Sequence, residues 1–392
     1  MREESKEDQS KKYILHAMGY DSKKFGVLEK YILSLALKAR DSNFEIVLIY
    51  NKKPRSKEFL KKLSEANINY YVADALALLS YWSVFYRLTK TYKPILVHSH
   101  FQPLLPSFYG WLLNYKYRWN TNRLMLIKDF IEIQSFSELK LRSKIYRYLI
   151  NIFTNKFFCV SEAVLQQYRN IFPQLHNSLH LLHNGVPFNS YNRAIAREAL
   201  NFDDSTIYVC CIAFASKIKG VDILLRAFND FSIQNNKMNI KLCLIGLDKQ
   251  SNLTQNILLM IEDLNLKDKI IDFGIINNIQ DVLPAMDIYV QPSRSESLSN
   301  ALIEAGLYGI PAIGTNVGGI PEVILDGETG YLFKYEDHQD LSKKILFLAN
   351  NKTLRENMGE AAKMHVMKNF MMEEKINELL TYYLNYLKSS AI

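Results

Sequence analysis

Cysteine is scarce in this chain of 392 residues, which contains four. They are Cys159, Cys210, Cys211 and Cys243, and each lies in an apolar run typical of a strand, without a CxxC pair or a histidine at metal-ligand spacing. Disulfide-rich secreted proteins and structural zinc proteins have denser and more regular cysteine patterns. We therefore expect four reduced core residues in a cytoplasmic protein.

Long hydrophobic runs are also missing. No uninterrupted apolar stretch approaches the roughly 20 residues that a membrane-spanning helix needs. The start of the chain, MREESKEDQSKK, is too charged for a signal peptide. The sequence predicts a protein that neither spans a membrane nor is exported by such a signal.

Two familiar nucleotide-binding fingerprints are absent. The chain has no Walker A motif and no Gly-x-Gly-x-x-Gly motif after a strand. It also has no internal repeat and no low-complexity tract. These absences argue against an NTPase and against a dinucleotide-dependent dehydrogenase.

Acidic residues are absent from residues 75–128, although the chain carries a formal net charge of +8. The basic residues of this stretch are Arg87, Lys90, Lys93, Lys116, Arg118, Arg123 and Lys128. Aromatic residues lie between them, so the stretch fits an anionic membrane surface, or a solvated basic face over an aromatic core. A nucleic-acid partner is not expected, because the chain shows no helix-turn-helix, RNA-stacking signature or zinc finger.

A second basic stretch, residues 139–153, predicts an amphipathic helix suited to lipid contact. Its basic residues are Lys140, Arg142, Lys144 and Arg147.

The length and the 48% hydrophobic content are sufficient for two cores. Strand and helix patterns alternate along the chain, which is typical of doubly wound α/β sheets. We expect a polar tail over residues 1–12, one domain over 13–190, a second over 191–370 and a last helix over 371–392. A linker into the second domain is expected around residues 188–201, and a helix over 218–228 near the start of that domain.

One stretch, residues 292–319, brings several chemical groups together: PSRSESLSNALIEAGLYGIPAIGTNVGG. It follows an apolar strand over 287–291 and predicts a loop, a short helix capped by Ser299 or Asn300, and another strand. This is a βαβ unit, so the loop opens onto the carboxyl edge of a parallel sheet.

A helix start offers backbone N–H groups and a partial positive charge to an anion. A phosphate could be held there by the amides of Ser297, Leu298, Ser299 and Asn300. Glu304, about one turn into the helix, could then accept hydrogen bonds from a ribose, and Glu296 could hold a group beyond the phosphates. The alternative is that both glutamates are solvated helix-end acids.

The residues around this loop carry a resemblance. They are Ser293, Glu296, Glu304, Ala305, residues 309–311, Gly318, Gly319, Pro321, Glu322 and residues 327–330. The pattern resembles family 4 of the retaining glycosyltransferases, within the glycosyl transferases group 1, whose signature is Glu-x7-Glu. The resemblance implies an α/β GT-B fold, in which two doubly wound Rossmann-like domains face each other across a cleft. It assigns Glu296 to the hydroxyls of the donor sugar and Glu304 to the ribose.

The same resemblance places further donor-binding residues. Lys219 matches the lysine that grips the diphosphate, and Lys217 is expected to supplement its charge. Gly26 matches the second glycine of a Gly-Gly-x-Glu loop, and Ile275 lies where the base is held. His100 belongs to the His-x-His pattern that ends a strand of the first domain.

Two of the departures from the family pattern bear most directly on catalysis. Lys128 stands where relatives carry a histidine near the reacting sugar, and Phe214 where they carry the arginine that accompanies Lys219. A lysine could still donate a hydrogen bond to the sugar or to an acidic acceptor, but it cannot act as a neutral imidazole. These departures are the main support for a non-catalytic scaffold.

The resemblance thus implies a retaining transferase that moves a sugar from a UDP-, GDP- or ADP-sugar to a hydroxyl, with no cofactor and no metal. The expected catalytic residues are Glu296, Lys219, Lys128 and His100. The expected acceptor is a lipid-linked or surface-polysaccharide glycan, recruited by the first domain while it docks peripherally on the anionic inner face of a membrane. The alternatives are a non-catalytic or degenerate GT-B scaffold that binds nucleotide sugars, and a GT-B epimerase or phosphorylase.

Overall fold

The computed structural model divides the chain into two compact units. It describes residues 11–74, 78–100, 108–109, 112, 125–130, 149, 152–188, 191–212, 216–276 and 278–390, with 125–130 described as backbone alone. The N-terminal unit comprises Met1–Val160, Val164–His183 and Glu373–Ile392, and the C-terminal unit comprises Ser161–Ala163 and Asn184–Met372. Each unit contains its own sheet.

The sheet of the N-terminal unit is parallel at every described strand pair. Its strands are β1 (Lys12–Met18), β2 (Phe44–Tyr50), β3 (Tyr70–Val72), β4 (Leu96–His100), β5 (Met125–Phe130), β6 (Lys156–Cys159) and β7 (Leu179–Leu181). They pair in the order β3-β2-β1-β4-β5-β6-β7. The order reverses direction between β1 and β4, and ligands of open α/β sheets bind at such a point.

Four described helices of this unit are α1 (Val27–Ala39), α2 (Lys57–Glu65), α3 (Leu78–Tyr92) and α4 (Glu162–Ile171), and the last helix of the chain joins them. The inner strands are apolar along almost their whole length because helices cover both faces of a parallel sheet. In β1, residues 14–18 are all buried, and in β2 residues 46–50 are. This continuous burial accounts for the run of apolar residues that predicted each strand.

The C-terminal unit repeats the arrangement. Its strands are β8 (Ile207–Ile212), β9 (Ile240–Ile245), β10 (Ile270–Asp272), β11 (Ile288–Gln291), β12 (Ala312–Thr315) and β13 (Gly330–Phe333). They pair in parallel in the order β10-β9-β8-β11-β12-β13, so the reversal falls between β8 and β11.

The helices of this part of the chain cover both faces of that sheet or follow it. They are α5 (Arg193–Ala199), α6 (Val221–Gln234), α7 (Asn252–Asp263), α8 (Asn300–Leu307), α9 (Ile320–Val323), α10 (His338–Asn350), α11 (Lys352–Asn369) and α12 (Met372–Ser390). The core of the unit is formed where α6 and α10 pack on strands β8, β9 and β11, around residues such as Phe228 and Leu244. The α/β fold with two Rossmann-like sheets is therefore as predicted.

One local expectation is wrong. The helix expected to begin at residue 218 begins at Val221, because Gly220 adopts the left-handed conformation (φ +65°) and ends a separate short turn, Lys217–Lys219. The linker expected around residues 188–201 contains α5. Its first turn is capped by the Asn192 side chain, and Arg197 donates to the backbone oxygens of Ala285 and Asp203.

The described part of the acid-free stretch is α3 and the residues next to it. Tyr81 and Phe85 are fully buried in the core of the N-terminal unit and stack on one another, whereas Arg87 and Lys90 point to solvent. This is a basic face over an aromatic core. The predicted basic helix over 139–153 lies almost entirely outside the described residues.

No described helix has both the length and the apolar character needed to cross a bilayer. All four cysteines are buried and lie outside disulfides, and burial raises the pKa of Cys211 to about 12. The prediction that they are core residues is confirmed.

The last helix, α12, returns to the N-terminal unit from Glu373 onward. Its Tyr383 is fully buried there, and the Tyr383 hydroxyl lies 2.6 Å from His98 Nδ1. Near its start, Glu373 pairs with Lys38 of α1 at 2.6 Å. A hydrogen bond between buried groups and an exposed ion pair therefore attach α12 to this unit.

Candidate functional site

The loop between β11 and α8 lies at the carboxyl edge of the second sheet, beside the reversal of strand order. Pro292 ends the strand, and the Ser299 hydroxyl accepts a hydrogen bond from the Leu302 N–H (3.3 Å), so Ser299 is the N-cap of α8. Of the two predicted caps Ser299 is the correct one, and Asn300 is the first helical residue. The chain turns here because proline cannot donate to the sheet and serine replaces the missing helical acceptor.

Glu296 is the carboxylate of this loop, and three side chains contact it. Its Oε2 lies 2.6 Å from Lys219 Nζ, and Gln291 Nε2 and the Ser293 hydroxyl each donate to the same oxygen at 3.3 Å. The Glu296 side chain is 12% exposed and that of Lys219 is 26% exposed. The structure therefore brings together Lys219 and Glu296, which the sequence separates by 77 positions, as a partly buried ion pair.

Gln291 connects this pair to the helix start. Its Nε2 also donates to Ser293 Oγ (2.7 Å), while its Oε1 accepts from the Tyr289 hydroxyl (2.8 Å) and from Ser299 Oγ (3.1 Å). Burial holds the pKa of Tyr289 well above its usual range, so its hydroxyl remains a donor. A buried network thus fixes Glu296 relative to the cap of α8.

Two glycines allow neighbouring loops to approach this one. A Cβ atom on Gly220 would overlap the Pro292 carbonyl oxygen, and one on Gly319 would overlap that of Ser297. The Gly319 N–H donates to the Glu296 backbone oxygen at 3.0 Å. Three loops at the carboxyl edge of the sheet therefore meet at backbone contact distance around Glu296.

The remaining predicted donor-binding residues of the C-terminal unit lie at the same edge. Glu304 is half-buried in α8, eight residues after Glu296. The amides of residues 297–300 lie at the start of this helix, before its first backbone hydrogen bond, which the Ile303 N–H donates to the Ser299 oxygen at 3.0 Å. Lys217 is exposed in the turn before Gly220, and the Ile275 side chain is 65% exposed after β10. Phe214 lies outside the described residues.

The other three predicted residues belong to the N-terminal unit. Gly26 is the N-cap of α1 with an ordinary φ of −96°, and its N–H donates to Glu29 Oε2 at 2.9 Å. His100 ends β4 and is buried. Lys128 lies in β5, where its backbone pairs with Ser99 of β4, and its side chain is not described.

His100 is part of a histidine cluster that the sequence did not reveal as such. His16 and His98 face each other in the register of β1 and β4, and His16 Nδ1 lies 2.8 Å from His100 Nε2. The His98 and His100 rings stack with centroids 4.2 Å apart. The three side chains are at most 3% exposed.

These histidines are the residues, in the described part of the chain, whose positions could hold a metal ion. One ring nitrogen from each lies within 4.8 Å of the others. The close contact between His16 and His100 is already a hydrogen bond, however, and His98 Nδ1 is hydrogen-bonded to the Tyr383 hydroxyl. The arrangement is that of a hydrogen-bonded imidazole stack, and the expectation that no metal is bound stays a prediction.

Several residues of the site were missed from the sequence. Gln291 is a polar residue at the end of an apolar strand, and His16 is a polar residue inside one. Each is therefore weakly marked in the sequence as a possible site residue. The ion pairs of Arg294 with Asp222 and Glu336 have no mark in the sequence, because the partners lie 72 and 42 positions away.

Comparison with solved structures establishes the class of this chain. It superimposes on the structure of Anabaena Alr3699/HepE in complex with UDP with a TM-score of 0.76, over 96% of this chain and 100% of that one, at 18% sequence identity. At that identity the likeness concerns the fold, and it covers both sheets. The protein has the two-domain GT-B fold.

The sequence comparisons find likeness to known glycosyltransferases over about half of the chain. Residues 192–365 match the family model of the glycosyl transferases group 1. The chain is 33% identical over 172 residues to the N-acetyl-alpha-D-glucosaminyl L-malate synthase of Bacillus anthracis, covering 44% of each chain. It is 26% identical over 215 residues to the capsular polysaccharide biosynthesis glycosyltransferase CapM of Staphylococcus aureus, covering 53% of this chain and 54% of the relative.

The chain spans about half the length of these curated relatives. Residues 192–365, the part that matches the glycosyl transferases group 1, contain Lys219, Glu296 and Glu304.

Proposed function

We propose that this protein is a glycosyltransferase of the family 4 type, which moves a sugar from a nucleotide diphosphate sugar to a hydroxyl with retention of configuration. The observation that carries the proposal is the Lys219–Glu296 ion pair, held by Gln291 and Ser293 next to the capped start of α8. A cation, a carboxylate and a helix N-terminus are the groups needed to hold a charged leaving group and a polyhydroxylated sugar together.

The diphosphate is assigned to Lys219 and to the amides of residues 297–300. Both supply positive charge where negative charge grows as the bond from the sugar to the diphosphate breaks. These groups would serve in place of a divalent cation, so the proposed transfer needs no metal. When the donor binds, the Lys219 ammonium would leave the Glu296 carboxylate and pair with a phosphate oxygen. Lys217, exposed in the same turn, is assigned a supplementary role.

Glu296 is then available to accept hydrogen bonds from the sugar hydroxyls, since Gln291 and Ser293 keep its carboxylate in place when Lys219 turns to the phosphate. Glu304, deeper in α8, is assigned to the ribose, and Ile275 to the base. Retention of configuration follows from the family resemblance, and it distinguishes this proposal from an inverting transferase.

The donor nucleotide is one of UDP, GDP and ADP, and the solved structure of HepE in complex with UDP makes UDP the first to test. The acceptor is proposed to be a glycan, lipid-linked or part of a surface polysaccharide. The support is the likeness to CapM, a transferase of capsular polysaccharide biosynthesis.

The decisive experiment incubates the protein with a panel of UDP-, GDP- and ADP-sugars in EDTA, with and without glycan acceptors. We expect nucleotide release that depends on the acceptor, and an anomeric configuration, read by NMR, equal to that of the donor. An inverted product or a strict need for a divalent ion would contradict the mechanism. Nucleotide binding without turnover on any acceptor would support the scaffold alternative.

We also propose that the N-terminal unit docks on anionic membrane when it meets a lipid-linked acceptor. The support is the exposed basic residues of α3, Arg87 and Lys90, together with the basic stretch 139–153. The described aromatic residues of α3 do not contribute, since they belong to the core. Each basic residue near such a surface contributes roughly 1 kcal/mol, screened by salt.

The test of docking is sedimentation with vesicles that contain anionic phospholipid. We expect binding that weakens with salt and falls in a variant with Lys140, Arg142, Lys144 and Arg147 all changed to Ser. Equal binding to neutral vesicles at high salt, or binding to neither kind, would leave a transferase that acts away from membranes.

A further inference from the structure

Arg294 lies in the same loop as Glu296, and its guanidinium reaches three other segments. Nη1 donates to the Lys217 backbone oxygen (2.7 Å) and to Asp222 Oδ1 (2.8 Å). Nη2 donates to Asp222 Oδ2 (2.7 Å) and Glu336 Oε2 (3.2 Å), and Nε donates to Glu336 Oε1 (2.5 Å). All five N–H groups of the side chain are therefore used.

The backbone adds to this connection. The Arg294 N–H donates to the Ile218 oxygen at 2.7 Å, and Gly220 packs on the oxygen of Pro292. The turn Lys217–Lys219 is thus attached to the β11–α8 loop through two of its three backbone oxygens and through the glycine that follows it.

A cavity of about 410 Å³ adjoins this turn. It is lined on one side by α7 residues such as Leu253 and Ile257, and on the other by Lys217 and Arg294. The hydrogen bonds from Arg294 therefore hold the backbone of the turn beside open space, while the Lys219 ammonium pairs with Glu296 at 2.6 Å.

The charges of the network fit a permanent structural role. The hydrogen bonds from Arg294 lower the pKa of Asp222, and the two carboxylates raise that of Arg294, whose side chain is 22% exposed. A lysine here would keep the charge, but it could not reproduce two bidentate contacts in one plane.

We infer that Arg294 is a positioning residue for donor binding, which fixes the turn carrying Lys217 and Lys219 at the distance from Glu296 that a nucleoside diphosphate requires. The inference rests on the proposed function and adds a residue that does not itself touch the donor. It acts through Lys219, because the turn that Arg294 holds is the one from which Lys219 projects.

The test measures the Kd of UDP, GDP and ADP by calorimetry for the wild-type chain, Arg294→Lys, Lys219→Gln and the double variant, with thermal unfolding of each. The matched control is Arg355→Lys. It removes arginine hydrogen bonds to the Leu348 and Ala349 oxygens (2.6 and 2.7 Å) in α10 of the same unit, away from the loop.

For the nucleotide that binds best, we expect Arg294→Lys to raise the Kd roughly tenfold or more, as a displaced binding group does. Arg355→Lys should leave the Kd within about twofold at a comparable loss of Tm. In the Lys219→Gln background, Arg294→Lys should add little, because the group that it positions is gone.

Two results would overturn the inference without touching the proposed function: additive effects of Arg294→Lys and Lys219→Gln on the Kd, or a Kd change in Arg355→Lys as large as in Arg294→Lys. A wild-type chain that binds none of the three nucleotides would instead overturn the proposed function, and this inference with it.

Discussion

The two sheets share the strand order of a Rossmann fold over their first six strands, but their carboxyl edges carry different chemistry at the reversal point. In the N-terminal unit, the edge between β1 and β4 is filled by buried rings: His16, His98 and His100, with Tyr383 of α12 against them. In the C-terminal unit, the edge between β8 and β11 carries charged pairs, Lys219 with Glu296 and Arg294 with its two carboxylates.

The difference shows that topology decides where a site can form, whereas the loop residues decide what it can do. The first edge is closed by an element from the far end of the chain, and each described polar group there contacts another buried group. The second edge keeps its lysine and glutamate partly exposed, within reach of a ligand. We therefore expect loss of the Tyr383 contact at the first edge to change stability most, and substitutions at the second edge to change turnover most. The catalytic role expected of His100 stays a prediction.

The largest effect is expected at the second edge, from Glu296→Gln. The change keeps the size of the side chain but removes the charge that pairs with Lys219 and the acceptor proposed for the sugar hydroxyls. We expect kcat to fall by about 10²-fold or more, with the Kd for nucleotide changed only a few-fold. The assay is nucleotide release in the presence of acceptor.

Its control is Glu356→Gln, which alters an exposed glutamate of α11 in the same unit. Unchanged turnover in Glu296→Gln would remove the carboxylate from the mechanism and favour the solvated-acid alternative.

The first edge is tested by Tyr383→Phe. Loss of the hydroxyl removes the 2.6 Å hydrogen bond to His98 inside the core, and we expect the free energy of unfolding to fall by about 1–3 kcal/mol. Turnover at a temperature well below the unfolding transition should change less than twofold. The measurement is chemical denaturation beside the activity assay.

Tyr335→Phe serves as the matched control. Tyr335 is 48% exposed, so loss of its hydroxyl should hardly change the free energy of unfolding. A large loss of turnover with stability intact would show that the imidazole edge takes part in the reaction, and would break the division between the two edges.

A smaller effect, confined to affinity, is expected from Glu304→Ala. The side chain is half-buried in α8 and is proposed to accept hydrogen bonds from the ribose. Its loss should weaken nucleotide binding about tenfold, the effect of one or two hydrogen bonds to a charged group, with kcat nearly unchanged at saturating donor. Titration calorimetry with the nucleoside diphosphate measures it. A change in kcat with an unaltered Kd would place Glu304 elsewhere in the reaction.

Much of the fold could be read from the sequence because buried parallel strands are uninterrupted apolar runs and the helices between them are amphipathic. The apolar strand expected over 287–291 is found as β11 (Ile288–Gln291) for this reason. The start of α6 was missed because the apolar pattern of the helix continues back through Ile218, and the left-handed Gly220 interrupts the helix without interrupting the pattern.

The candidate site was predicted where its residues are adjacent in the chain, and missed where they meet through the fold. Glu296, Ser299 and Glu304 share one loop and helix, so their spacing already describes their geometry. The partners of Arg294 come from segments far away, and the facing of His16 and His98 depends on the pairing of β1 with β4. A single sequence contains no local signal for strand register between non-consecutive strands.

The smallest predicted effect concerns the pH dependence of the N-terminal unit. Partial burial, with the nearby charges of Lys156 and Arg169, lowers the pKa of His180 in β7. The folded state therefore resists protonation of this ring more than the unfolded state does. Stability from the neutral ring is fully present above the unfolded pKa of about 6.5 and is lost as the pH falls from there through the folded pKa.

We expect the Tm of the wild-type chain to fall between about pH 6.5 and 5, and His180→Asn to make this decline smaller. The control is His176→Asn, which changes an exposed histidine of the same unit and should leave the decline as it is. The Tyr382 hydroxyl lies 3.4 Å from His180 Nε2, so Tyr382→Phe separates loss of that contact from loss of the titration: it should lower Tm by a similar amount at every pH. The measurement is a thermal unfolding series across pH. A wild-type Tm that rises as the pH falls through this window, or an unchanged slope in His180→Asn, would show that His180 does not set the pH response of this unit.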